Sequence, residues 1–272
     1  PAARRLLAEV PRVPAETVVV RFLGPAELQR GDELVDSPLW RRGRVRQLLA
    51  FLVIYGQTTR EAVVDAFWPD LDPAAANNNL RSTLSNLLTV LTPERRSKEA
   101  SYFVAQQGRV LAPTGTDRLV VDVWEAERLF DEAAAAERSG TPSLARVAYA
   151  RALDLWRGPF LADTPAAWAE AEAERLRLRF VAAWVRAGEL ALAAGDPAEA
   201  GARATAAIEA EPWSENAYRL LAGAQLARGD RAAARHSLDR ARAMLDDLGV
   251  EPESATRLLE RRLGGEIGAG AG

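Results

Sequence analysis

Hydrophobic positions along this chain change period more than once, and the changes divide it. Between residues 18 and 36, apolar and β-branched residues fall in short runs: Val18–Leu23, Ala26–Arg30 and Glu33–Asp36. Gly24-Pro25 and Gly31-Asp32 separate them. Short runs between strong turn signals predict three antiparallel strands. From about Trp40 the spacing becomes helical. Val45, Leu48, Leu49 and Leu52 share one face, Arg41, Arg42, Arg44 and Arg46 crowd the first turns, and Gly56 ends the pattern. Thr58 and Glu61 then form a Thr-x-x-Glu capping box that opens a short helix with Val63, Val64, Phe67 and Trp68 as its apolar stripe, stopped by Pro69. Asp72 as N-cap and Pro73 in the first turn start a third helix, whose buried side is Leu80, Leu84, Leu87, Leu88 and Leu91. A hairpin follows, from Tyr102–Ala105 through a Gln107-Gly108 turn to Arg109–Leu111, with Arg109 near its tip. Small sheet, three helices, hairpin is the order of a winged helix.

The third helix has an unusual second face. Opposite its leucines it turns Asn78, Ser82, Ser85, Asn86 and Thr89 outward, with Arg81 on the flank. That face is polar but nearly uncharged. Amide and hydroxyl groups there can hydrogen-bond base edges, and an arginine can reach phosphate or guanine. A solvated helix can show the same residues, as can a solvated arginine cluster, so the order of elements carries more weight than any one side chain.

After residue 112 the period stays helical and the sequence repeats. Trp184, Gly195, Asp196, Ala200 and Ala207 recur 34 residues later as Tyr218, Gly229, Asp230, Ala234 and Ala241, the period of a tetratricopeptide hairpin. A more degenerate pair lies upstream, with Val123, Trp124, Leu129 and Phe130 on one helix and Leu144, Ala148, Ala152 and Leu155 on the next. A last helix from about Pro252 to Leu263 is expected to cap the stack. The predicted fold class is therefore mainly α: an N-terminal winged helix, then an all-α tetratricopeptide-like repeat domain. The expected domains are a linker at 1–16, a winged helix at 17–112, a repeat domain at 113–263, and a tail at 264–272 too glycine-rich to order itself.

Charge sharpens the division. The whole chain carries −3, but residues 17–112 carry +2 and residues 113–272 carry −6, an asymmetry expected when only one part meets phosphate. Cysteine is absent from the 272 residues, which excludes disulfides and thiolate metal sites. The longest apolar run, Leu48–Tyr55, is far short of the roughly 20 residues needed to cross a bilayer, and no signal peptide is visible. A cytoplasmic protein with no membrane partner is the expectation. The chain opens on Pro1 and a stretch with Pro11 and Pro14, so it is expected to be a piece of a longer protein.

Catalysis finds no support. The single histidine, His236, stands beside Arg235 on a repeat helix, and Asp246-Asp247 and Glu170, Glu172 and Glu174 are ordinary helix charges without a nucleophile or a metal cluster nearby. The sole lysine, Lys98, belongs to no Walker loop. No enzyme activity, cofactor or metal is expected.

Two sets of motifs carry a family resemblance. Leu153-Asp-Leu-Trp-Arg-Gly-Pro-Phe-Leu-Ala-Asp163, the repeats after it and Leu248-Gly-Val-Glu-Pro252 resemble the bacterial transcriptional activator domain. Val20-Arg-Phe-Leu-Gly-Pro25, Ala66-Phe-Trp-Pro-Asp70 and Asn79-Leu-Arg-Ser-Thr-Leu-Ser85 resemble the winged helix that precedes it in SARP-family activators. The resemblance implies a sequence-specific activator on promoter direct repeats, with double-stranded promoter DNA, RNA polymerase holoenzyme and a second protomer as partners. By position it makes Asn78, Arg81, Ser82 and Ser85 base-reading candidates, with Asn86 on the same face, and Arg41, Arg42, Arg44, Thr58 and Arg109 phosphate candidates. The chain departs from its relatives late in the third helix: they usually place basic residues where it has Asn86, Leu88 and Thr89. A rival reading is a protein-binding adaptor that uses the repeats, with Trp168, Trp184, Trp213 and Tyr218 as anchors. At repeat positions such aromatics also serve as interhelix core.

Overall fold

The structure is a computed structural model that describes residues 11–96 and 99–265. Residues 1–10 of the expected linker and 266–272 of the expected tail lie outside the described residues. The chain forms two compact units. One comprises the residues up to Glu125 together with Leu155–Glu174, the other Ala126–Asp154 together with Arg175 onward. The units do not follow a division at residue 112. The chain crosses between them three times.

In the first unit the strands are β1 (Val18–Arg21), β2 (Glu27–Arg30) and β3 (Glu33–Leu34). The helices α1 (Gly43–Tyr55), α2 (Arg60–Phe67) and α3 (Pro73–Leu91) follow, with strand β4 (Thr58–Thr59) between the first two. Strands β5 (Val104–Gln107) and β6 (Val110–Pro113) make the wing, and a further strand, β7 (Leu119–Val121), comes after it. Helix α1 begins three residues after Trp40, so Arg41 and Arg42 precede its first turn and Arg42 takes the N-cap position. The cap of α2 is also shifted. Thr58 is drawn into β4 opposite Leu111, and Thr59 caps instead, its Oγ1 accepting from the Ala62 N–H at 3.1 Å.

Helix α3 starts where Asp72 and Pro73 place it. The Asp72 carboxylate accepts from the Ala74 and Ala75 N–H groups at 2.9 and 3.2 Å, which satisfies donors that the helix leaves open. Leu80, Leu84, Leu87, Leu88 and Leu91 are all buried, each removal from water contributing roughly 2 kcal/mol.

The first sheet has the order β3-β2-β1-β7. Strand β1 pairs antiparallel with β2, Val20 opposite Leu28, and parallel with β7, Val18 opposite Leu119 and Val20 opposite Val121. The parallel partner is not among the expected strands. Behind it stands Asp122, 5% exposed. Its carboxylate accepts from the N–H groups of Phe22, Leu23 and Val123 at 2.8–2.9 Å, so the chain can bend away from β1 without leaving buried donors unpaired.

Residues 157–163 close the same region. The Arg157 N–H donates to Leu23 O at 3.0 Å, and the Leu161 N–H to Phe22 O at 2.9 Å. Asp163 Oδ1 accepts from the Ala26 N–H at 2.9 Å, and Phe160 meets Phe22 edge-on at 6.0 Å. Gly24 lies at φ +123°, and a Cβ there would come 3.0 Å from Arg157 Cβ, so only glycine fits this crossing. Leu161 is held at φ +54°, unfavourable for a leucine. Its burial and its hydrogen bond hold it there.

The second unit is helical. It contains the run of α4 (Asp122–Arg138) from Ala126, α5 (Pro142–Leu153), and α6 (Glu170–Ala193) from Arg175. Helices α7 (Pro197–Ala210), α8 (Glu215–Ala227), α9 (Arg231–Leu248) and α10 (Ser254–Gly265) complete it. The 34-residue repeat maps onto α6–α7 and α8–α9. Asp196 and Asp230 cap their second helices, accepting from the Glu199 and Ala233 N–H groups at 3.0 and 2.9 Å. Ala200, Ala204, Ala207, Ala234 and Ala241 are buried where the helices meet. The expected capping helix is α10, with Leu263 packed on Ala222, Ala234 and Leu238.

Candidate nucleic-acid interface

The site builds outward from α3. Its leucine side is packed by α1 and α2, and the opposite side is left open: Asn78, Arg81, Ser82, Ser85 and Thr89 are all exposed. Spaced by three or four residues, they form one stripe along the helix. Asn86 sits at its margin, half-buried. Within the stripe Arg81 Nη1 donates to Asn78 Oδ1 at 3.2 Å. Thr89 Oγ1 turns back to Ser85 O at 3.0 Å.

The wing is tied to the start of α2. Strand β6 pairs with both β4 and β5, and Gly108 turns the hairpin at φ +59°. The Arg60 N–H donates to Arg109 O at 2.8 Å, and Arg60 Nη2 to Gln106 Oε1 at 3.0 Å. Arg109 is at the tip, its side chain 83% exposed, with Glu61 as its ion-pair partner at 3.1 Å. Arg60 is missing from the sequence expectation, which names Glu61 only as part of the capping box and not as the partner of Arg109. The place of Arg60 directly after the true cap, Thr59, is the signal that would have found it.

The remaining phosphate candidates differ in what holds them. Arg42 is exposed and has no side-chain partner among the described residues. Arg41 is exposed but engaged on both sides of its fork by Asp36, at 2.8 and 2.6 Å. Arg44 lies 5.6 Å over the Phe67 ring and 5.7 Å over Trp68, and donates to Gln47 Oε1 at 3.1 Å. Its guanidinium is therefore fixed by packing and faces solvent along one side. Thr58 is half-buried in β4. Arg46 is engaged by Asp163.

The aromatic anchors do not form one surface. Trp184 and Tyr218 are each 5% exposed. Trp184 packs on Phe180, and Tyr218 lies beneath Arg240 at 5.2 Å. They are interhelix core, filled because a large ring removes the most apolar surface from water. Trp168 stacks on Phe67 at 5.9 Å and meets Phe51 at 5.0 Å, so it joins α1 and α2 within the first unit. Only Trp213 of the four is exposed.

The described residues include no group of His, Cys, Asp and Glu arranged to hold a metal, and no helix long and apolar enough to cross a membrane.

Residues 121–263, more than half of the chain, match the family profile described as bacterial transcriptional activator domain. The chain belongs to the SARP family of transcriptional activators. The match begins at the last residue of β7, so it includes both Asp122 and residues 157–163. Relatives of the family include the regulatory protein AfsR of Streptomyces griseus, 30% identical over 260 residues, and that of Streptomyces coelicolor, 31% identical over 258. The alignments cover 93% and 91% of this chain but 25% and 24% of those proteins. The chain thus spans about a quarter of the length of these relatives. A solved structure of Mycobacterium tuberculosis EmbR in complex with a low-affinity phosphopeptide shares the fold. Its TM-score is 0.78 at 24% identity, over 91% of this chain and 65% of that one. The family is one of transcriptional regulators, and the helical architecture behind a small N-terminal sheet is the family's fold.

Proposed function

We propose that the chain is a sequence-specific DNA-binding activator that lays α3 into the major groove, sets the β5–β6 wing on the neighbouring backbone, and engages RNA polymerase and a second protomer. The observation that carries this reading is the open stripe of α3, Asn78, Arg81, Ser82 and Ser85, hydrogen-bonding in chemistry and left exposed among the described residues. Amides, hydroxyls and an arginine on an open helix face are groups that can hydrogen-bond base edges. Arg42 and Arg109 supply charge on either side of the stripe in sequence, as phosphate contacts that position a reading helix do. The acidic repeat unit is the part proposed to meet the polymerase.

Fluorescence anisotropy of labelled duplexes over a salt series tests this. Binding that weakens steeply with salt, and that favours some duplexes over others, is the expected result. Salt-independent binding, or none at low salt with duplexes carrying direct repeats, overturns it and leaves the adaptor reading with Trp213 as its exposed aromatic. Arg42→Ala is expected to weaken all duplexes by a similar factor and to lower the log–log salt slope by about 0.9. Glu61→Gln acts in the opposite direction. It removes the carboxylate that occupies Arg109, and affinity is expected to rise by up to about fivefold, the range of an exposed ion pair. Unchanged affinity in Glu61→Gln would remove Arg109 from the interface.

A further inference from the structure

Exposed asparagines on a groove-facing helix suggest adenine, because an amide can accept from the adenine N6 amino group while donating to N7. Two contacts within α3 change that expectation. Asn77 has its amide Nδ2 turned back onto Pro73 O at 2.7 Å, so this neighbour is held against its own helix. Asn78 instead has its oxygen facing a cation, accepting from Arg81 Nη1 at 3.2 Å. The three-residue spacing makes the two side chains neighbours on the helix surface, and both are exposed.

What the pair presents outward differs from what either residue presents alone. Asn78 Nδ2 offers two donors, and Arg81 offers Nε, Nη2 and the second Nη1 hydrogen, with one positive charge spread over the group. The amide oxygen, the pair's single acceptor, lies against the guanidinium. An adenine N6 amino group approaching that oxygen would bring its hydrogens toward like charge. Guanine puts O6 in that place and N7 beside it, two acceptors facing a donor array.

We infer that Asn78 and Arg81 act as one donor-rich, positively charged unit that reads guanine in the major groove, Arg81 making the base contact and Asn78 a positioning residue that holds it. This rests on the DNA-binding reading above and adds its base preference. Ser82 and Ser85 both donate and accept, so they do not set the same bias. Guanine preference belongs to the end of the stripe nearest Pro73.

The test is selection from a randomised duplex library with the full chain, followed by anisotropy on the selected duplex and its single-base variants. One position is expected to require guanine, with adenine there costing about tenfold, the scale of one lost bidentate contact. Replacing that guanine by 7-deazaguanine, which lacks the N7 acceptor, is expected to weaken binding several-fold. Arg81→Ala frees the Asn78 oxygen, and the preference at that position is expected to move from guanine to adenine. Asn78→Ala keeps guanine while binding less tightly. Both residues are exposed, so circular dichroism of the variants is expected to match the parent. Guanine retained in Arg81→Ala, or adenine selected by the parent chain at the position Arg81→Ala alters, overturns the inference while leaving DNA binding intact. Loss of all salt-dependent binding in the parent overturns the DNA-binding reading, and the inference falls with it.

Discussion

Asp122→Ala is expected to lower the stability of the first unit by about 3–5 kcal/mol, a large part of the roughly 5–15 kcal/mol that domains commonly have. Three backbone donors, on Phe22, Leu23 and Val123, converge on this one buried carboxylate. Alanine would leave them without acceptors at a site closed to water, and each orphaned donor costs about 1–3 kcal/mol. Urea denaturation measures the change, and a midpoint within experimental error of the parent would refute the role given to Asp122. Asp122→Asn keeps one acceptor oxygen and is expected to fall between the two. Burial pushes the Asp122 carboxyl above its ordinary 3.8, while the three N–H donors and Arg157 pull it back down. The folded chain therefore holds this proton more tightly than the unfolded chain does. The stability that this group contributes is full below pH 3.8 and declines as pH rises through the folded value. The Asn variant is expected to lack that part of the acid-range slope.

A fragment ending at Ala112 is expected not to fold cooperatively, although it contains the whole reading helix and all of the wing but Pro113. It lacks β7, the parallel partner of β1. It also lacks Asp122, and it lacks Phe160 and Leu161, which are 4% and 1% exposed where they cover the bend after β1. Trp168, which packs on Phe51 and Phe67, is lost as well. Loss of a buried phenylalanine alone costs about 3–5 kcal/mol, and the combined loss exceeds the 5–15 kcal/mol by which whole domains are stable. The expected signs are a broad thermal transition, weak near-ultraviolet dichroism and binding of a hydrophobic dye. A sharp transition near that of the full chain would show that the later residues are dispensable.

What could be read in advance followed from how local each cause is. Helix α3 was legible because its start is written in two adjacent residues, Asp72 and Pro73, and its core in leucines at fixed spacing. The hairpin was legible from Gly108 and the β-formers around it. The α2 cap was misplaced by one residue because Thr58 and Thr59 are equivalent on propensity, and the choice is made by Leu111, about fifty residues later, which takes Thr58 into a ladder. Strand β7 has no local signature: Leu119–Val121 is three residues long and runs straight into α4. Residues 153–163 stood out as a family motif, but nothing in them names their partner, since Phe22, Leu23 and Ala26 lie far back in the chain. In the candidate site the exposed stripe was legible from helical period alone. The occupants of the arginines were not, because Asp36 and Glu61 reach Arg41 and Arg109 through turns and strand pairing rather than through sequence spacing.

The contacts around β1 also set an order of events during synthesis. Phe22 waits for Asp122, 100 residues later, and Ala26 for Asp163, 137 residues later. At roughly 5–20 residues per second, translation leaves the emerging strand without these partners for about 5–30 seconds. Through that interval the nascent chain exposes Val20, Phe22 and Leu23 to any hydrophobic surface near the ribosome, so chaperone capture is expected to centre on residues 18–30.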